Sequence, residues 1–186
     1  SLFLAVHHVL FQVASIITTT GYATVDFNQW PEFSICIVLL LMFIGACAGS
    51  TGGGIKVSRI MMASKEAKKE MAAVIHPRSV KVIKYEGKVL GHPVLRSLNA
   101  YLILYALIFA VSVLLVSLDN FDFATSFSAV AANFNNIGPG LSTVGPSSNF
   151  SMLSDLSKLV LIFDMLAGRL ELFPILVLFS PGTWKK

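Results

Sequence analysis

The sequence has few charged residues. Asp, Glu, Lys and Arg together make up 13% of its 186 residues, about half the share that is usual in a soluble domain. The hydrophobic residues, 55% of the chain, are gathered into long runs instead of being spread at helical or strand spacing. This pattern excludes an ordinary soluble domain and predicts a chain that is embedded in lipid.

Cysteine is also scarce. The two cysteines, Cys36 and Cys47, lie in one apolar run, where we expect small lipid- or helix-facing side chains without a disulfide. The first residues lack an initiator Met and a basic segment followed by a cleavage site, so they are not predicted to be a signal peptide. We expect the chain to begin inside a longer protein.

Positive charge is concentrated in one stretch. Ten of the fourteen Lys and Arg residues lie in residues 56–96 beside three glutamates, which gives that stretch a charge of +7. A basic connection next to apolar spans is normally retained in the cytoplasm, so these residues are predicted to lie inside. The net charge of +4 therefore reflects topology, and we expect no nucleic-acid partner. Acids predicted to face outward and attract cations are Asp26, Glu32, Asp119, Asp122 and Asp155.

Two segments have the composition of membrane spans. Residues 97–118 are apolar over roughly the ~20 residues that cross about 30 Å of hydrocarbon. Residues 33–48 and 55–63 are predicted to be one helix that is broken by the glycine-rich residues 49–54, because each Gly weakens a helix by about 1 kcal/mol relative to Ala. Irregular backbone at membrane depth must line water or be buried in protein.

A third apolar run, residues 156–179, contains Asp164, Arg169 and Glu171. A central charge costs about 2.5 to 3.5 kcal/mol on a membrane-insertion scale. These side chains are therefore predicted to face a polar cavity or to neutralise one another, and the helix is predicted to be functional.

Two further apolar segments are too short to cross. Residues 2–17 lead into Thr-Thr-Thr-Gly-Tyr at 18–22, and residues 123–134 lead into Asn-Asn-Ile-Gly-Pro-Gly at 135–140. Each then passes through a polar stretch into a span. The order of half-helix, glycine turn, return strand and full helix occurs twice. This order predicts an all-α membrane protein with tandem repeats of helix, re-entrant pore loop and helix, as in potassium channels.

Residue identities echo this order weakly. Gly21 and Gly138 lie 117 positions apart. We pair Ala14 with Ala131 and Phe11 with Phe127 across this period. We expect the first unit to lack its leading helix, with the chain starting late in the repeat.

The glycine turns suit a dehydrated cation. Potassium gives up its water only where protein oxygens replace it, and backbone carbonyls do so without adding charge. Glycine supplies the positive φ that turns successive carbonyls to one side, and the negative end of the half-helix dipole favours a cation. A tight membrane turn would use the same residues, but its recurrence after a half-length helix favours a potassium pathway.

Four motifs in order resemble the C-terminal part of Trk-type potassium transporters, in the superfamily that also contains Ktr and HKT proteins. They are the turn at 18–22, the stretch 45–56, the turn at 135–140, and Ala-Gly-Arg-Leu-Glu at 167–171. The resemblance implies four repeats around one pore. This chain would supply the end of the third repeat (1–63), a cytoplasmic loop (64–92) and the fourth repeat (93–186).

The resemblance also implies a filter and a gate. The filter residues would be Thr19, Thr20, Gly21, Tyr22, Asn136, Ile137, Gly138 and Pro139, with K+ held at Thr20, Gly21, Ile137 and Gly138. The gate would consist of Gly49, Ser50, Thr51, Gly52, Gly53, Gly54 and Arg169. The fourth loop departs from the Thr-Val-Gly-Tyr pattern of potassium channels, because Asn136 replaces a threonine and Pro139 removes an amide. Selectivity for potassium over sodium is therefore expected to be modest.

Partners follow from the resemblance alone. It implies a multi-pass protein of the bacterial inner membrane, surrounded by lipid, with two full-length pore subunits side by side. It also implies a separate cytosolic regulatory subunit that binds a nucleotide, NAD or ATP, and docks on inner loops such as 64–85. No cofactor is expected in this chain, whose transported ion would be K+.

Two other functions use the same features. A pore for another cation or for a neutral solute also uses half-helices that meet in mid-membrane, although a solute pore is expected to bring them from opposite sides. An intramembrane enzyme would use Asp164, or His7 and His8, as catalytic residues. No second catalytic residue lies at a spacing that indicates a catalytic pair. The chain is therefore predicted not to be an enzyme, and channel-like and ion-coupled transport both stay open.

Overall fold

The computed structural model describes residues 2–76, residues 82–170 and Val177. Of the predicted third span, residues 171–176, which include Glu171, and residues 178–179 lie outside these residues. The helices are α1 (Leu2–Ile17), α2 (Glu32–Phe43), α3 (Val57–Ile75), α4 (His92–Val116), α5 (Phe123–Phe134) and α6 (Asp155–Leu170). Two pairs of short strands complete the elements: β1 (Ile44–Gly45) with β2 (Ile55–Lys56), and β3 (Lys84–Tyr85) with β4 (Lys88–Val89).

Helix α4 has the length of a membrane span. Within the described ranges it is the one helix long and apolar enough to cross, and the segment His92–Asp119 has a mean hydropathy of 2.6. Pro93 lies in its first turn, where no intrahelical amide bond is lost. The short turn after the helix ends at Asn120, whose left-handed backbone has φ 59°, and a left-handed residue stops a helix. The span thus begins five residues before the predicted one.

Helix α5 is the centre of the packing. It contacts α2, α4 and α6, and nine of its twelve residues are buried. Its buried side chains are mostly small, including the run from Ala129 to Ala132 around Val130. Small residues let neighbouring backbones approach closely, so this half-length helix can lie in the middle of the other three.

The two halves of the chain share a hydrophobic cluster. Ile16 and Phe27, from the first half, pack with Ile137 and Leu141 from the second, and all four are at most 7% exposed. The segments that follow α1 and α5 are therefore held against each other, and this contact sets the distance between the two glycine turns.

The break between α2 and α3 is longer than predicted. Helix α2 ends at Phe43 and α3 begins at Val57, because residues 44–45 pair in parallel with residues 55–56 instead of continuing the helix. Cys47 consequently lies in a loop and not on a helix. Helix α3 runs on to Ile75, since the Lys, Glu, Ala and Met residues after position 63 are good helix formers.

Asp122 caps the buried helix α5. Its carboxylate accepts hydrogen bonds from the hydroxyl and the backbone amide of Thr125. The hydrogen bond from the Thr125 side chain is the largest cause that holds the pKa of Asp122 below its ordinary value. The charged carboxylate is therefore the form that the folded state prefers.

We expect Asp122→Ala to lower the free energy of unfolding by about 1 kcal/mol, the usual contribution of an N-cap. Denaturant unfolding of the purified protein in detergent micelles measures it. Since the folded-state pKa is depressed, the contribution is present above the ordinary aspartate range and is lost as pH falls through the folded value. The control is Asp155→Ala, whose fully exposed carboxylate pairs with Lys158 at 3.5 Å. Equal effects in both variants would contradict the capping role.

Candidate functional site

The two glycine turns have the same unusual backbone. Thr19 and Asn136 both have φ 56°, and Gly21 and Gly138 have φ 74° and 107°. Left-handed conformations are uncommon for residues other than glycine. The same alternation therefore occurs twice, 117 positions apart.

The helix ends before the turns match as well. The amide of Thr20 donates to the carbonyl of Ser15 at 3.0 Å, and the amide of Ile137 donates to the carbonyl of Ala132 at 2.8 Å. Both bonds reach back five residues at the same offset. The turns after α1 and α5 are thus two copies of one backbone structure.

This register corrects one residue pairing. The offset that aligns the turns also aligns Ala14 with Ala131, as predicted. Phe127 is aligned with Leu10, however, so the pairing of Phe11 with Phe127 was wrong by one position.

The two turns touch each other. A Cβ atom built on Gly21 would lie 2.1 Å from the carbonyl oxygen of Ile137, so that position has room only for glycine. Further along, the side-chain oxygen of Asn28 accepts a hydrogen bond from the amide of Ser142 at 3.0 Å. The turns and their return segments therefore lie side by side, which indicates that both enter from the same side.

A hydroxyl cluster surrounds the first turn. Ser15 Oγ donates to the carbonyl of Tyr22 at 2.6 Å, which directs that oxygen toward α1. Thr20 Oγ1 lies 3.2 Å from the carbonyl of Ser15 and 3.2 Å from Thr18 Oγ1. Of these residues, Ser15 was not predicted, because a serine inside an apolar helix carries no distinguishing pattern.

A strand pair holds the two ends of the glycine-rich loop together, and the side chain of Lys56 reaches into the loop. The bridge between β1 and β2 joins residues 44–45 to 55–56. From there the ammonium of Lys56 reaches back into residues 46–54 and donates to the carbonyl of Ser50 at 2.9 Å and to the carbonyl of Gly52. The loop is thus a preformed unit. Lys56 belongs to the motif at 45–56 but was not among the predicted gate residues.

This loop lies directly against both turns. The amide of Gly53 donates to Thr19 Oγ1 at 3.4 Å. A Cβ built on Gly53 would lie 2.0 Å from the carbonyl oxygen of Asn135. One glycine therefore contacts the first turn and the start of the second.

Arg169 reaches the loop from α6. Its Nη1 donates to the carbonyl of Thr51. The preceding residue, Gly168, allows this contact, because a Cβ there would lie 1.9 Å from the carbonyl oxygen of Phe134. Helix α6 can therefore lie against the end of α5 and carry Arg169 to the loop.

A cavity of about 260 Å³ lies beside the loop. Three cationic side chains line it: Lys56, Arg59 and Arg169. The guanidinium of Arg59 lies 4.0 Å from the centre of the Tyr101 ring. The described residues that line this cavity include no acid, so their charges are of one sign.

Asp164 lies apart from Arg169. It is fully buried, and its Oδ1 accepts a hydrogen bond from Ser112 at 2.7 Å. Arg169, five residues further along α6, instead bonds the loop. The neutralising cluster of Asp164, Arg169 and Glu171 is therefore not formed by its two described members.

The histidines on α1 also lie outside this assembly. The ring centres of His7 and His8 are 5.6 Å apart, and His8 Nδ1 lies 3.0 Å from Thr24 Oγ1. Throughout residues 2–76 and 82–170, no group of three or more His, Cys, Asp or Glu side chains is arranged to hold a metal ion.

Comparison with known proteins gives a consistent family. A family model described as "TrkH: Cation transport protein" matches residues 4–186. The chain is 39% identical over 186 residues to the Trk system potassium uptake protein TrkH of Escherichia coli K12 and covers 38% of it. It is 37% identical over 178 residues, 96% of the chain, to the TrkG protein of the same strain and covers 36% of that protein.

A solved structure is similar over the whole chain. The crystal structure of the potassium transporter TrkH from Vibrio parahaemolyticus matches with a TM-score of 0.90 at 41% sequence identity. The match covers 100% of this chain and 39% of that one. The chain therefore spans under two fifths of the length of each of these proteins.

Proposed function

This chain belongs to the TrkH family of cation transport proteins, and on that premise we propose that it forms part of a pathway for potassium ions. The observation that carries the proposal is the pair of matched turns that meet where Gly21 faces the carbonyl oxygen of Ile137. Two turns with similar backbones side by side are what a pore with pseudo-symmetry requires. The segments 1–63 and 93–186 then act as the third and fourth repeats, joined by the cytoplasmic loop 64–92.

The ion is coordinated in this proposal by backbone carbonyls of the two turns, at Thr20, Gly21, Ile137 and Gly138. Flanking filter positions are Thr19, Tyr22, Asn136 and Pro139. Helices α1 and α5 end at the turns, so the negative ends of their dipoles point to the same region and favour a cation. Outward acids such as Asp26 raise the local concentration of cations before they enter.

The glycine-rich loop closes the pathway in this proposal. It rests against Thr19 and Asn135, directly below both turns, and Arg169 holds it there through the carbonyl of Thr51. The cations around the adjacent cavity add an electrostatic barrier to K+. Opening of the pathway therefore requires the whole loop, Gly49 to Gly54, to move away from Thr19 and Asn135.

The parent protein is proposed to work as a multi-pass protein of the bacterial inner membrane, as a pair of pore subunits, without enzymatic activity. A separate cytosolic subunit that binds NAD or ATP is proposed to control it. The β3–β4 hairpin lies against α3, where Lys65 Nζ donates to the carbonyl of Lys84 at 2.8 Å. None of the residues of α3 is buried, so its basic side chains are accessible to such a subunit.

The experiment that tests the function is rubidium and sodium flux into liposomes that carry the full-length parent protein, with Arg169→Ala beside wild type. A hydrogen bond to a charged group contributes about 1.5–3 kcal/mol, so its loss is expected to raise rubidium flux about tenfold or more. Arg169→Lys keeps the charge and one donor and is expected to give a smaller rise. No cation flux in any of these proteins would refute the ion pathway and favour a neutral solute.

The contact of the loop with the fourth repeat gives a second test. We expect Gly53→Ala to raise rubidium flux several-fold, because its Cβ cannot lie 2.0 Å from the Asn135 carbonyl oxygen and the loop must move. Gly49→Ala is the matched control in the same loop: its backbone is left-handed at φ 80°, but nothing lies within 4 Å of its Cβ. Equal rubidium flux in the two variants would mean that the contact of the loop with Asn135 does not control the passage of ions.

The filter assignment predicts a change in selectivity. In Gly21→Ser, a left-handed position at φ 74° would carry a side chain that meets the Ile137 carbonyl. We therefore expect the ratio of rubidium to sodium flux to fall. Gly87→Ser is the control, since Gly87 has a similar φ of 77° with open space around it. A wild-type ratio in Gly21→Ser would exclude Gly21 from the filter.

A further inference from the structure

Asn135 and Thr18 are counterparts that immediately precede the two filter turns. Each caps its own half-helix: Thr18 Oγ1 donates to the carbonyl of Ala14 at 2.7 Å, and Asn135 Nδ2 donates to the carbonyl of Ala131 at 2.8 Å. The carboxamide of Asn135 has a second polar atom, Oδ1, which a threonine does not possess. The fourth repeat therefore has an acceptor that needs a partner.

Tyr105 supplies that partner. Its hydroxyl, on helix α4, donates to Asn135 Oδ1 at 2.7 Å. Asn135 is completely buried and Tyr105 is 7% exposed, and the Tyr105 ring packs against Phe134 with centres 4.7 Å apart. Buried polar groups of this kind are costly to leave without a hydrogen bond.

Asn135 also contacts the gate loop. Its carbonyl oxygen faces Gly53, and its Oδ1 lies 3.4 Å from the position that a Cβ on Gly54 would occupy. The next residue, Asn136, begins the filter turn in a left-handed conformation. Asn135 thus contacts both the glycine-rich loop and α4, and it directly precedes the filter turn of the fourth repeat.

We propose that Tyr105 is a positioning residue that couples the filter of the fourth repeat to the gate loop through the side chain of Asn135. This inference rests on the proposed function. The hydroxyl of Tyr105 bonds the side chain of Asn135, so its polar group acts on the filter and the loop by fixing Asn135. Without its hydroxyl, Oδ1 loses its donor and the carboxamide reorients, which moves both the surface under Gly53 and the start of the filter.

A double-mutant cycle tests the coupling in the full-length protein reconstituted in liposomes. Tyr105→Phe is expected to lower the rubidium-to-sodium flux ratio about fivefold, the effect of leaving one buried acceptor unsatisfied, and to raise rubidium flux through the closed gate. Asn135→Thr rebuilds the arrangement of the third repeat, in which the cap needs no outside donor. In that background, Tyr105→Phe is expected to change the ratio by less than about twofold.

Packing and hydrogen bonding are separated by a control on the same helix. Phe109 lies one turn beyond Tyr105, with its ring 6.3 Å from Phe134. We expect Phe109→Leu to lower the melting temperature without changing the flux ratio. If Asn135→Thr does not fold, Asn135→Ser replaces it, because its hydroxyl also caps the helix.

The outcomes distinguish this inference from the function on which it rests. No cation flux in wild type would overturn both. Selective wild-type flux with an unchanged ratio in Tyr105→Phe would overturn the inference alone. An equal fall in the ratio with Asn135 and with Thr at position 135 would also overturn it, because Tyr105 would then act by another route.

Discussion

The structure depends on the close approach of three glycine backbones to the end of helix α5. Gly168, Gly53 and Gly21 each face a carbonyl oxygen, of Phe134, Asn135 and Ile137 respectively, at a distance where a Cβ could not fit. These contacts bring α6, the glycine-rich loop and the first turn onto one short segment. A side chain at any of the three positions would separate elements whose contact forms the site.

The groups around that segment carry charges of opposite sign. The turns present carbonyl oxygens and the negative ends of two helix dipoles, whereas the cavity beside the loop is lined by Lys56, Arg59 and Arg169. Two of these cations already bind loop carbonyls, Lys56 at Ser50 and Gly52 and Arg169 at Thr51. Loop carbonyls of the kind that bind cations are thus already bound by cationic side chains of the protein itself. These hydrogen bonds stabilise the loop in its position against the turns.

The local features were predictable from composition and spacing, and the long-range ones were not. Helices α1 and α5 end where their apolar runs meet the glycine turns, as predicted, and the family resemblance is confirmed. Residues 44–45 look helical by composition, and only their pairing with residues 55–56 makes them strand. The contact of Arg169 with Thr51 spans 118 positions, and only the family resemblance placed Arg169 beside the loop. Tyr105 resembles any tyrosine of an apolar helix. The roles of the filter and gate residues stay predictions.

The two turns share a backbone but differ in what holds them. The first is stabilised largely from within its own segment, by Ser15 near the end of α1 and by Thr18 and Thr20, which follow the helix. The second is held by its neighbours, because Asn135 bonds Tyr105 on α4 and Asn136 Nδ2 donates to the carbonyl of Met165 on α6 at 3.1 Å. A displacement of α4 or α6 therefore acts directly on the second turn, and it reaches the first turn through the contact between Gly21 and Ile137. Since Arg169 also lies on α6, the element that holds the loop is the one that holds the second turn, and the two respond together.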